Sequence, residues 1–302
     1  MKENKQREYG KMFKVRTDLA LENQEQLQQE DSKMQGIMVE ESVEEALHLH
    51  TTIVKIVSEK GAQSLGKPQG TYITMETQKL LGSDATFHHA FSKKLALHLR
   101  TLIGDKQSIL VVGLGNREIT PDSLGPRVIQ NLQVNRHFAE EKNQLVLSGL
   151  APGVMAQTGM ETMEIIRGVV EMTKPDIVMA VDALAARSMS RVNTTIQLTD
   201  TGINPGSGVM NNRHGLNKET LGVPVIGIGV PTVVDAASIV HDAVVPFLEG
   251  LDVESREELL EDVLTPELRY MFVTPKDIDE VVAKIGQTIA EALNHLILPK
   301  MG

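Results

Sequence analysis

Apolar positions along the chain form two kinds of pattern, one typical of buried strands and one typical of helices that pack against a sheet. Residues 108–113 and 175–182 are mostly apolar and do not alternate with polar residues, as expected of strands buried on both faces. Residues 86–103 instead place their apolar side chains at helical spacing. These patterns predict helices packed on a sheet whose strands are largely buried.

The same two patterns predict elements in the rest of the chain. They indicate strands at 144–147, 193–199 and 224–229, and helices at 158–172, 233–248 and 278–296. The pattern at 37–60 predicts a helix followed by a strand or by more helix. Because strands alternate with helices, we expect an α/β protein with one main domain, built on a twisted, mostly parallel sheet flanked by helices.

Two aspartates follow predicted strands at the positions where α/β sheets bind ligands. Asp122 comes after the strand at 108–113, behind a Thr120-Pro121 pair that is typical of a helix start, and Asp182 ends the second apolar run. Ligands of open α/β sheets bind outside the carboxyl ends of the strands. Two carboxylates in one cleft can take different pKa values and divide acid and base roles. Each aspartate also has an ordinary interpretation, as a partner of the helix dipole or as an N-cap.

Composition narrows the classes of protein that the chain can belong to. The 302 residues are 41% hydrophobic but only 3% aromatic and contain no Trp, which favours helices on a parallel sheet over an aromatic-rich β-sandwich. The absence of Cys excludes disulfides, thiolate nucleophiles and cysteine-bound zinc, and fits a reducing cytoplasm. A net charge of −10 argues against a general nucleic-acid binder. Neither a signal-peptide core nor a run of membrane-spanning length is found, so we expect no membrane partner.

Common catalytic and nucleotide-binding motifs are incomplete or missing. Gly113 and Gly115 begin a dinucleotide-binding pattern, but Glu118 stands where its third glycine is required. Residues 61–67 begin a phosphate loop, but Pro68 replaces the Ser or Thr that reaches magnesium. Neither Gly-x-Ser-x-Gly nor His-Glu-x-x-His occurs. The chain is therefore not predicted to bind nucleotides or to be a serine hydrolase or a zinc peptidase.

Histidines occur close together at two places. His88 and His89 form one pair, and His48 and His50 form the other. Both pairs fall in segments that the pattern predicts to be amphipathic surface helices. We therefore expect solvated side chains at both places rather than metal ligands.

The N-terminal region is polar and contains few apolar residues. Residues 1–36 carry too few apolar side chains to bury a face, which predicts a mobile arm that contains the motif VRTDLALE at 15–22. An ordinary frayed terminus is the alternative.

A second unusual segment is the glycine-rich loop 200–208. Its backbone N–H groups can form a cradle for an oxyanion or a substrate, and the alternative is a flexible connection.

Long motifs spread over residues 15–298 carry a family resemblance. They are VRTDLALE at 15–22, GTYITMET at 70–77, VVGLGN at 111–116, TPDSLGPRV at 120–128, APGVMAQTGMET at 151–162, VDALAAR at 181–187, DTGINPGSGV at 200–209, GVPVIGIGVPTVVDA at 222–236 and VTPKDID at 273–279. On these motifs the chain resembles the germination proteases of spore-forming bacteria. It is shorter than expected for that family between residues 251 and 272.

The resemblance implies a function and a route of maturation. It implies an endopeptidase of the forespore and spore core that degrades small acid-soluble spore proteins at germination and assembles into a homotetramer. It also implies an autoprocessed zymogen, in which cleavage between Asp18 and Leu19 removes the propeptide 1–18 and leaves the peptidase domain 19–302. The fold implied is similar to that of the hydrogenase-maturation endopeptidases, with a twisted sheet between helices.

The resemblance also assigns site residues. The two proposed catalytic aspartates of the family fall on Asp122 and Asp182, the pair already singled out by position. The family motifs and the glycine-rich loop add candidates for the substrate site, namely Asn116, Arg187, Asn204, Gly206 and Ser207. We expect one aspartate to activate water and the other to protonate the tetrahedral intermediate. Asp122, near a helix start, is the expected base, and Asp182, between apolar neighbours, is the expected acid.

Related nickel-dependent maturation peptidases hold a metal with carboxylates at these two positions and a histidine from a later loop. The comparable segment 224–234 contains no histidine, which favours a metal-free mechanism with no cofactor, although His214 and His241 stay candidates for the third ligand. Two alternatives therefore stand beside the metal-free peptidase. One is a nickel-dependent maturation-type peptidase, and the other is a non-catalytic protein that binds spore proteins.

Overall fold

The computed structural model describes residues 17–29, 35–82, 84–138, 145–204, 215–248, 252, 255, 259–260, 262–265 and 267–297. Its strands are β1 (Ile37–Glu44), β2 (Leu49–Ile56), β3 (Gly70–Glu76), β4 (Ser108–Gly113), β5 (Val146–Leu150), β6 (Ile177–Ala186), β7 (Thr195–Thr199), β8 (Val225–Asp235) and β9 (Phe272–Val273). All of them belong to one sheet, which confirms the α/β class and the single main domain.

Helices cover both faces of this sheet. They are α1 (Ala20–Gln29), α2 (Glu59–Leu65), α3 (Ala85–Ile103), α4 (Leu124–Asn131), α5 (Met155–Thr158), α6 (Thr162–Thr173), α7 (Lys218–Leu221), α8 (Ala236–Val244) and α9 (Ile278–Ile297). The long predicted helices at 86–103 and 278–296 are confirmed as α3 and α9 to within a residue. In the described part of the chain, no helix combines the length and apolar character that a membrane span requires.

The sheet is divided into a parallel part and an antiparallel part. Its strand order is β1-β2-β3-β7-β8-β6-β4-β5, with β9 paired to β8. Pairs β4/β5, β4/β6 and β6/β8 are parallel, and the pairs from β1 to β8 through β7 are antiparallel. The sheet is thus mixed, and its parallel part carries both aspartates that the sequence singled out.

The helix expected at the start of 37–60 is wrong, because this segment forms the hairpin of β1 and β2. A short 3-10 turn joins the strands and ends at His48, whose φ of 47° lies in the left-handed region. Only β2 is buried on both faces, whereas β1 is an exposed edge strand with few apolar residues in contact with the core. The apolar spacing of an edge strand is irregular, so the pattern alone did not distinguish it from a helix.

Two apolar cores lie on opposite faces of the sheet. On one face α3 and α9 pack through residues such as Phe91 and Ile289 against Val181 and its neighbours. On the other face α6 packs through Ile166 against Ala180 and its neighbours. Successive side chains of a strand point to opposite faces. Asp182 therefore shares the face of Ala180, away from α3 and α9.

A close approach of two glycines sets the position of α4 at the end of β4. A Cβ atom added to Gly113 would lie 2.2 Å from the carbonyl oxygen of Gly125, and one added to Gly125 would lie 2.3 Å from the carbonyl oxygen of Leu114. Both clashes are with backbone, which cannot rotate away. The absence of side chains thus allows the loop before α4, which carries Asp122, to lie directly over the strand end.

We expect Gly113→Ala to lower the free energy of unfolding by about 1–3 kcal/mol, because the added methyl group forces the backbone of α4 away from β4. Gly168→Ala is the matched control, since Gly168 lies inside α6 with open space where its Cβ would be. The control should be neutral or more stable by up to about 1 kcal/mol, because alanine favours helix. Urea unfolding of both variants measures the difference, and equal stabilities would contradict the packing described above.

Candidate active site

Asp182 lies within β6 rather than at its end, which corrects the sequence-based expectation. The strand continues to Ala186, because β8 goes on pairing with it through Val234 after β4 has ended. Its neighbour β4, however, ends at Gly113, which is paired with Val181. Asp182 is thus the first residue of β6 beyond the end of β4. It is 5% exposed, and its Oδ1 accepts a hydrogen bond from the amide of Ala183 at 3.0 Å.

Asp122 lies in the loop between β4 and α4. It ends a 3-10 turn, Thr120–Asp122, and α4 starts only at Leu124, so Thr120 is not the N-cap of a helix that contains the aspartate. Asp122 is half-buried, and its Oδ2 accepts a hydrogen bond from the amide of Asn116 at 2.7 Å. Gly115, with φ of 110°, lies directly below it, where a Cβ would be 2.0 Å from the Asp122 carbonyl oxygen.

The loop of Asp122 lies against the strand of Asp182. The 3-10 turn contacts both β6 and β8, and the amide of Leu114 donates to the carbonyl of Val181 at 2.8 Å. The two aspartates therefore come from the carboxyl-terminal side of neighbouring parallel strands. Asn116 braces this arrangement, since its side-chain oxygen accepts hydrogen bonds from the amide of Glu118 and from Gln157 at 3.0 and 2.9 Å.

Residues 17–20 cross the same region as a packed segment. The amide of Asp18 donates to the carbonyl of Ala185 at 3.2 Å, and Oδ2 of Asp18 accepts from the amide of Ala185 at 3.0 Å. Leu19 is fully buried against Leu184 and other apolar side chains. Residues 17–29 fall within the arm expected from the sequence, yet they form α1 and its approach and are held against the sheet. Residues 1–16 lie outside the described residues.

Two side chains that sequence reasoning missed hold the carbonyl of Asp18. Its oxygen accepts hydrogen bonds from Nζ of Lys67 at 2.9 Å and from Nε2 of Gln197 at 3.4 Å. The oxygen of the same Gln197 side chain accepts from the amide of Ala20 at 2.7 Å. Burial lowers the pKa of Lys67, while the carboxylates of Asp18 and Glu22 act in the opposite direction. Hydrogen bonds with Lys67 and Gln197 thus hold the backbone on both sides of the peptide bond between Asp18 and Leu19.

Sheet register gives the separation between Asp182 and Gln197, one of the side chains that hold this peptide. Asp182 is paired with Gly229 of β8, and Gly229 is paired with Gln197 of β7. Adjacent strands lie about 4.8 Å apart, so the backbones of Asp182 and Gln197 are about 10 Å apart on one face. The residue between them is glycine, and a Cβ there would lie 2.3 Å from the side chain of Leu184. The side chain of Leu184 therefore lies over Gly229, between Asp182 and Gln197.

A cavity of about 160 Å³ opens beside the segment. Residues from β3, β6, β7, β8 and the loop after β7 surround it, among them Asp18, Lys67, Tyr72, Leu184, Gln197 and Asn204. Burial raises the pKa of Tyr72 to about 12, and its hydroxyl donates to the carbonyl of Pro68 at 2.9 Å. The lining is polar, with Asp18, Lys67 and Tyr72 as its ionisable side chains, and its hydrogen-bonding groups suit a site for a peptide backbone.

Acidic residues of α1 fasten the segment to the end of β6. Glu22 is 3% exposed and accepts hydrogen bonds from the amides of Arg187 and Ser188 at 2.9 and 3.1 Å. Arg191 pairs with Glu25 at 2.6 Å and with Glu76 of β3 at 2.8 Å. Burial alone would lower the pKa of Arg191, but these two carboxylates outweigh it and hold the pKa above its usual value. The residues after Leu19 are thus anchored independently of residues 1–18.

The predicted substrate-site residues fall in different places. Asn116 lies beside Asp122, and Asn204 lines the cavity beside Asp18. Arg187 presents its amide to Glu22, and its guanidinium lies 3.5 Å from Asp242. Gly206 and Ser207 lie outside the described residues.

The site does not match the nickel-binding arrangement of two carboxylates and a histidine. Strand β8 contributes Gly229 opposite Asp182, and it carries no histidine. His241 lies on α8, with Nδ1 3.1 Å from Asp242, and His214 lies outside the described residues. Within the described ranges, the one group of His, Asp and Glu side chains close enough to hold a metal ion contains neither aspartate. Among the residues that the structure describes, none therefore adds the histidine of a nickel site to these two aspartates.

Known proteins match this chain along most of its length. The sequence model of the family described as germination protease matches residues 15–258. The chain is 41% identical to the germination protease of Caldanaerobacter subterraneus subsp. tengcongensis, with 94% of each chain covered. Identity is 40% to that of Clostridium acetobutylicum (96% of this chain, 97% of the relative) and 39% to that of Bacillus mycoides (93% of each). A solved NiFe hydrogenase maturation protease, HycI from Thermococcus kodakarensis, aligns at 20% identity and a TM-score of 0.35 over 65% of this chain and 98% of that chain.

Proposed function

This chain belongs to the germination protease family and is a protease, and on that premise we propose that it degrades small acid-soluble spore proteins during germination. The observation that carries the proposal is the peptide at Asp18, which lies across the sheet face of Asp182 with its carbonyl held by Lys67 and Gln197. A peptide held in this way resembles a bound substrate. We assign the forespore and spore core as its location and a homotetramer as its assembly on family membership alone.

In this proposal Asp122 and Asp182 share the proton transfers of peptide hydrolysis. One carboxylate is ionised and takes a proton from the attacking water, and the other is protonated and donates to the tetrahedral intermediate or to the leaving amine. Asp122 is the better base, because Asn116 donates a hydrogen bond to its carboxylate and stabilises the charge. We assign Asp182 as the acid, because it is more deeply buried than Asp122 and burial disfavours the charged form, although the amide of Ala183 also donates to its carboxylate.

The packed N-terminal segment supports synthesis as a zymogen. Residues 17–20 cover the sheet face beside Asp182, so a substrate cannot lie there while they are in place. Cleavage between Asp18 and Leu19 would free residues 1–18 and expose the cavity, while Glu22 and Glu25 would keep α1 attached. The proposed propeptide is therefore 1–18 and the proposed peptidase domain 19–302.

The experiment that tests this proposal compares the chain before and after processing. Full-length protein, stripped of metal, is incubated with a small acid-soluble spore protein and, as a control, with an unrelated unfolded protein of similar length. We expect cleavage of the spore protein only after processing, with Leu19 as the new N-terminus in mass spectrometry. An active protein with an intact N-terminus would contradict the zymogen proposal.

The same experiment separates the alternatives. Activity that returns only when nickel is added would favour a metal-dependent maturation-type peptidase and would require a histidine ligand such as His214. Stable binding of the spore protein with no cleavage under any condition would favour a non-catalytic binder. Activity in the presence of a chelator supports the two-aspartate mechanism.

A further inference from the structure

Two helices carry a histidine–glutamate–histidine cluster on the side of the sheet opposite Asp182. His89 lies on α3, and Glu291 and His295 lie one turn apart on α9. Nδ1 of His89 is 2.5 Å from Oε1 of Glu291, and Nε2 of His295 is 3.7 Å from the same oxygen. The three ligand atoms all lie within 4.8 Å of one another.

The fold holds these side chains in place. Helices α3 and α9 pack along each other, and Arg100 donates to the carbonyl of His295 at 2.8 Å. His88, next to His89, is buried and forms a 2.8 Å hydrogen bond with Thr288 of α9. The expectation that the whole 88–89 pair is solvated is therefore wrong for His88. This buried contact fixes the turn of α3 that presents His89 to the cluster.

One atom of the cluster lacks the partner that its burial requires. In the part of the chain that the structure describes, Nε2 of His295 is buried and makes no hydrogen bond. Its distance of 3.7 Å to Glu291 is too long for one. A buried polar atom without a partner is costly, and native proteins usually supply a partner, a water or an ion. A cation between the two side chains would remove this cost.

The donor set selects the kind of ion. Two imidazole nitrogens and one carboxylate oxygen are ligands typical of zinc, whereas calcium and magnesium prefer oxygen alone. Ligand atoms around a tetrahedral zinc lie about 3.3 Å apart, given metal–ligand distances of about 2.0–2.1 Å. The contacts of Glu291 with His89 and with His295 differ from this spacing by less than about 1 Å. A cleft of about 420 Å³ beside His89 and Glu291 leaves room for a water as fourth ligand.

We propose that His89, Glu291 and His295 form a zinc site that fastens the C-terminal helix α9 to α3. The site is separate from the peptidase site, because α3 and α9 cover the sheet face opposite Asp182. It is a stabilising site that takes no part in peptide cleavage. A test of this zinc site is therefore independent of a test of the proposed function.

Zinc binding to the full-length, metal-stripped chain tests the proposal. Isothermal titration with zinc should give one equivalent bound, and the same titration with calcium should give none. His89→Gln, Glu291→Gln and His295→Gln should each weaken zinc binding about tenfold or more, by analogy with the loss caused by outer-shell changes. Zinc at about a hundredfold excess over its Kd should raise the melting temperature of the unsubstituted chain by about 5 °C.

Two controls assign the bound ion to this cluster. His137→Gln removes an exposed histidine outside the cluster and should leave zinc binding unchanged. The double variant Asp122→Asn, Asp182→Asn should also bind zinc as the unsubstituted chain does, and melting in chelator confirms that each variant folds. The proposal is overturned if the unsubstituted chain binds no stoichiometric zinc, if all three cluster variants bind it normally, or if only the aspartate variant loses it.

Discussion

Replacing Asp182 by asparagine is expected to lower the rate of peptide cleavage by about 10²–10⁴-fold, because an amide of the same shape cannot transfer the proton. The residue is buried, and its Oδ1 accepts from the amide of Ala183, so asparagine keeps the volume and this hydrogen bond. Asp122→Asn should have an effect of similar size, since in the proposed mechanism the two aspartates share the proton transfers of one reaction. The measurement is kcat/KM on a small acid-soluble spore protein, after wild-type enzyme has removed residues 1–18 in trans.

Asp176→Asn is the matched control for these variants. Asp176 lies just before the other end of β6, where its carboxylate accepts hydrogen bonds from the amides of Gln107 and Ser108 at 3.0 and 2.9 Å. It is thus a backbone-bonded carboxylate near the same strand but far from the proposed site. Its replacement should cost some stability and leave kcat/KM unchanged. Normal cleavage by the Asp122 and Asp182 variants, with melting temperatures unchanged, would rule out the two-aspartate mechanism.

Replacing Lys67 by methionine is expected to slow the proposed self-cleavage between Asp18 and Leu19 by about 10²–10³-fold, the usual effect of losing a donor to a developing oxyanion. The ammonium group donates to the carbonyl of Asp18 at 2.9 Å, and methionine keeps most of the length of the side chain without its charge. Gln197→Met should have a smaller effect, because its contact to the same carbonyl is longer, at 3.4 Å. Intact mass against time measures the rate.

Lys60→Met is the matched control, because Lys60 is an exposed lysine seven residues away that contacts Gln35. Lys67→Arg keeps the charge and should retain part of the activity. A purely structural role for Lys67 would lower the melting temperature of Lys67→Met and leave the rate of the folded fraction as in the unsubstituted chain. That result, or unchanged self-cleavage in both the Lys67 and the Gln197 variants, would remove these residues from the proposed machinery.

The local hydrophobic pattern was sufficient to predict those elements whose secondary structure depends mainly on their own residues. Helices α3 and α9 were predicted to within a residue, because each has a continuous apolar stripe at helical spacing. The strand of Asp182 was recognised from its apolar run, but its end was placed at 182 instead of 186. The extension depends on β8, which continues beside β6 after β4 has ended. A strand's length is thus set partly by its neighbours.

In the segment 37–60, by contrast, the local hydrophobic pattern was not sufficient to predict the secondary structure. Its apolar spacing fits a helix as well as a strand, and only pairing with β3 and with the rest of the sheet decides for strands. The mixed character of the sheet has the same origin. Short connections join β1 to β2 and allow antiparallel pairing, whereas the parallel strands are joined through longer segments with helices.

Local sequence was enough to predict the α/β class and the long helices and to propose the two aspartates, because strand and helix periodicity and the family motifs are local in the chain. Only the tertiary structure brought Lys67 and Gln197, 49 and 179 residues from Asp18, to one carbonyl oxygen. It likewise joined His89 to Glu291 across 202 residues. Such contacts depend on how strands order themselves in the sheet and which helices share a face. Apolar burial drives that choice over the whole chain, and no single segment encodes it.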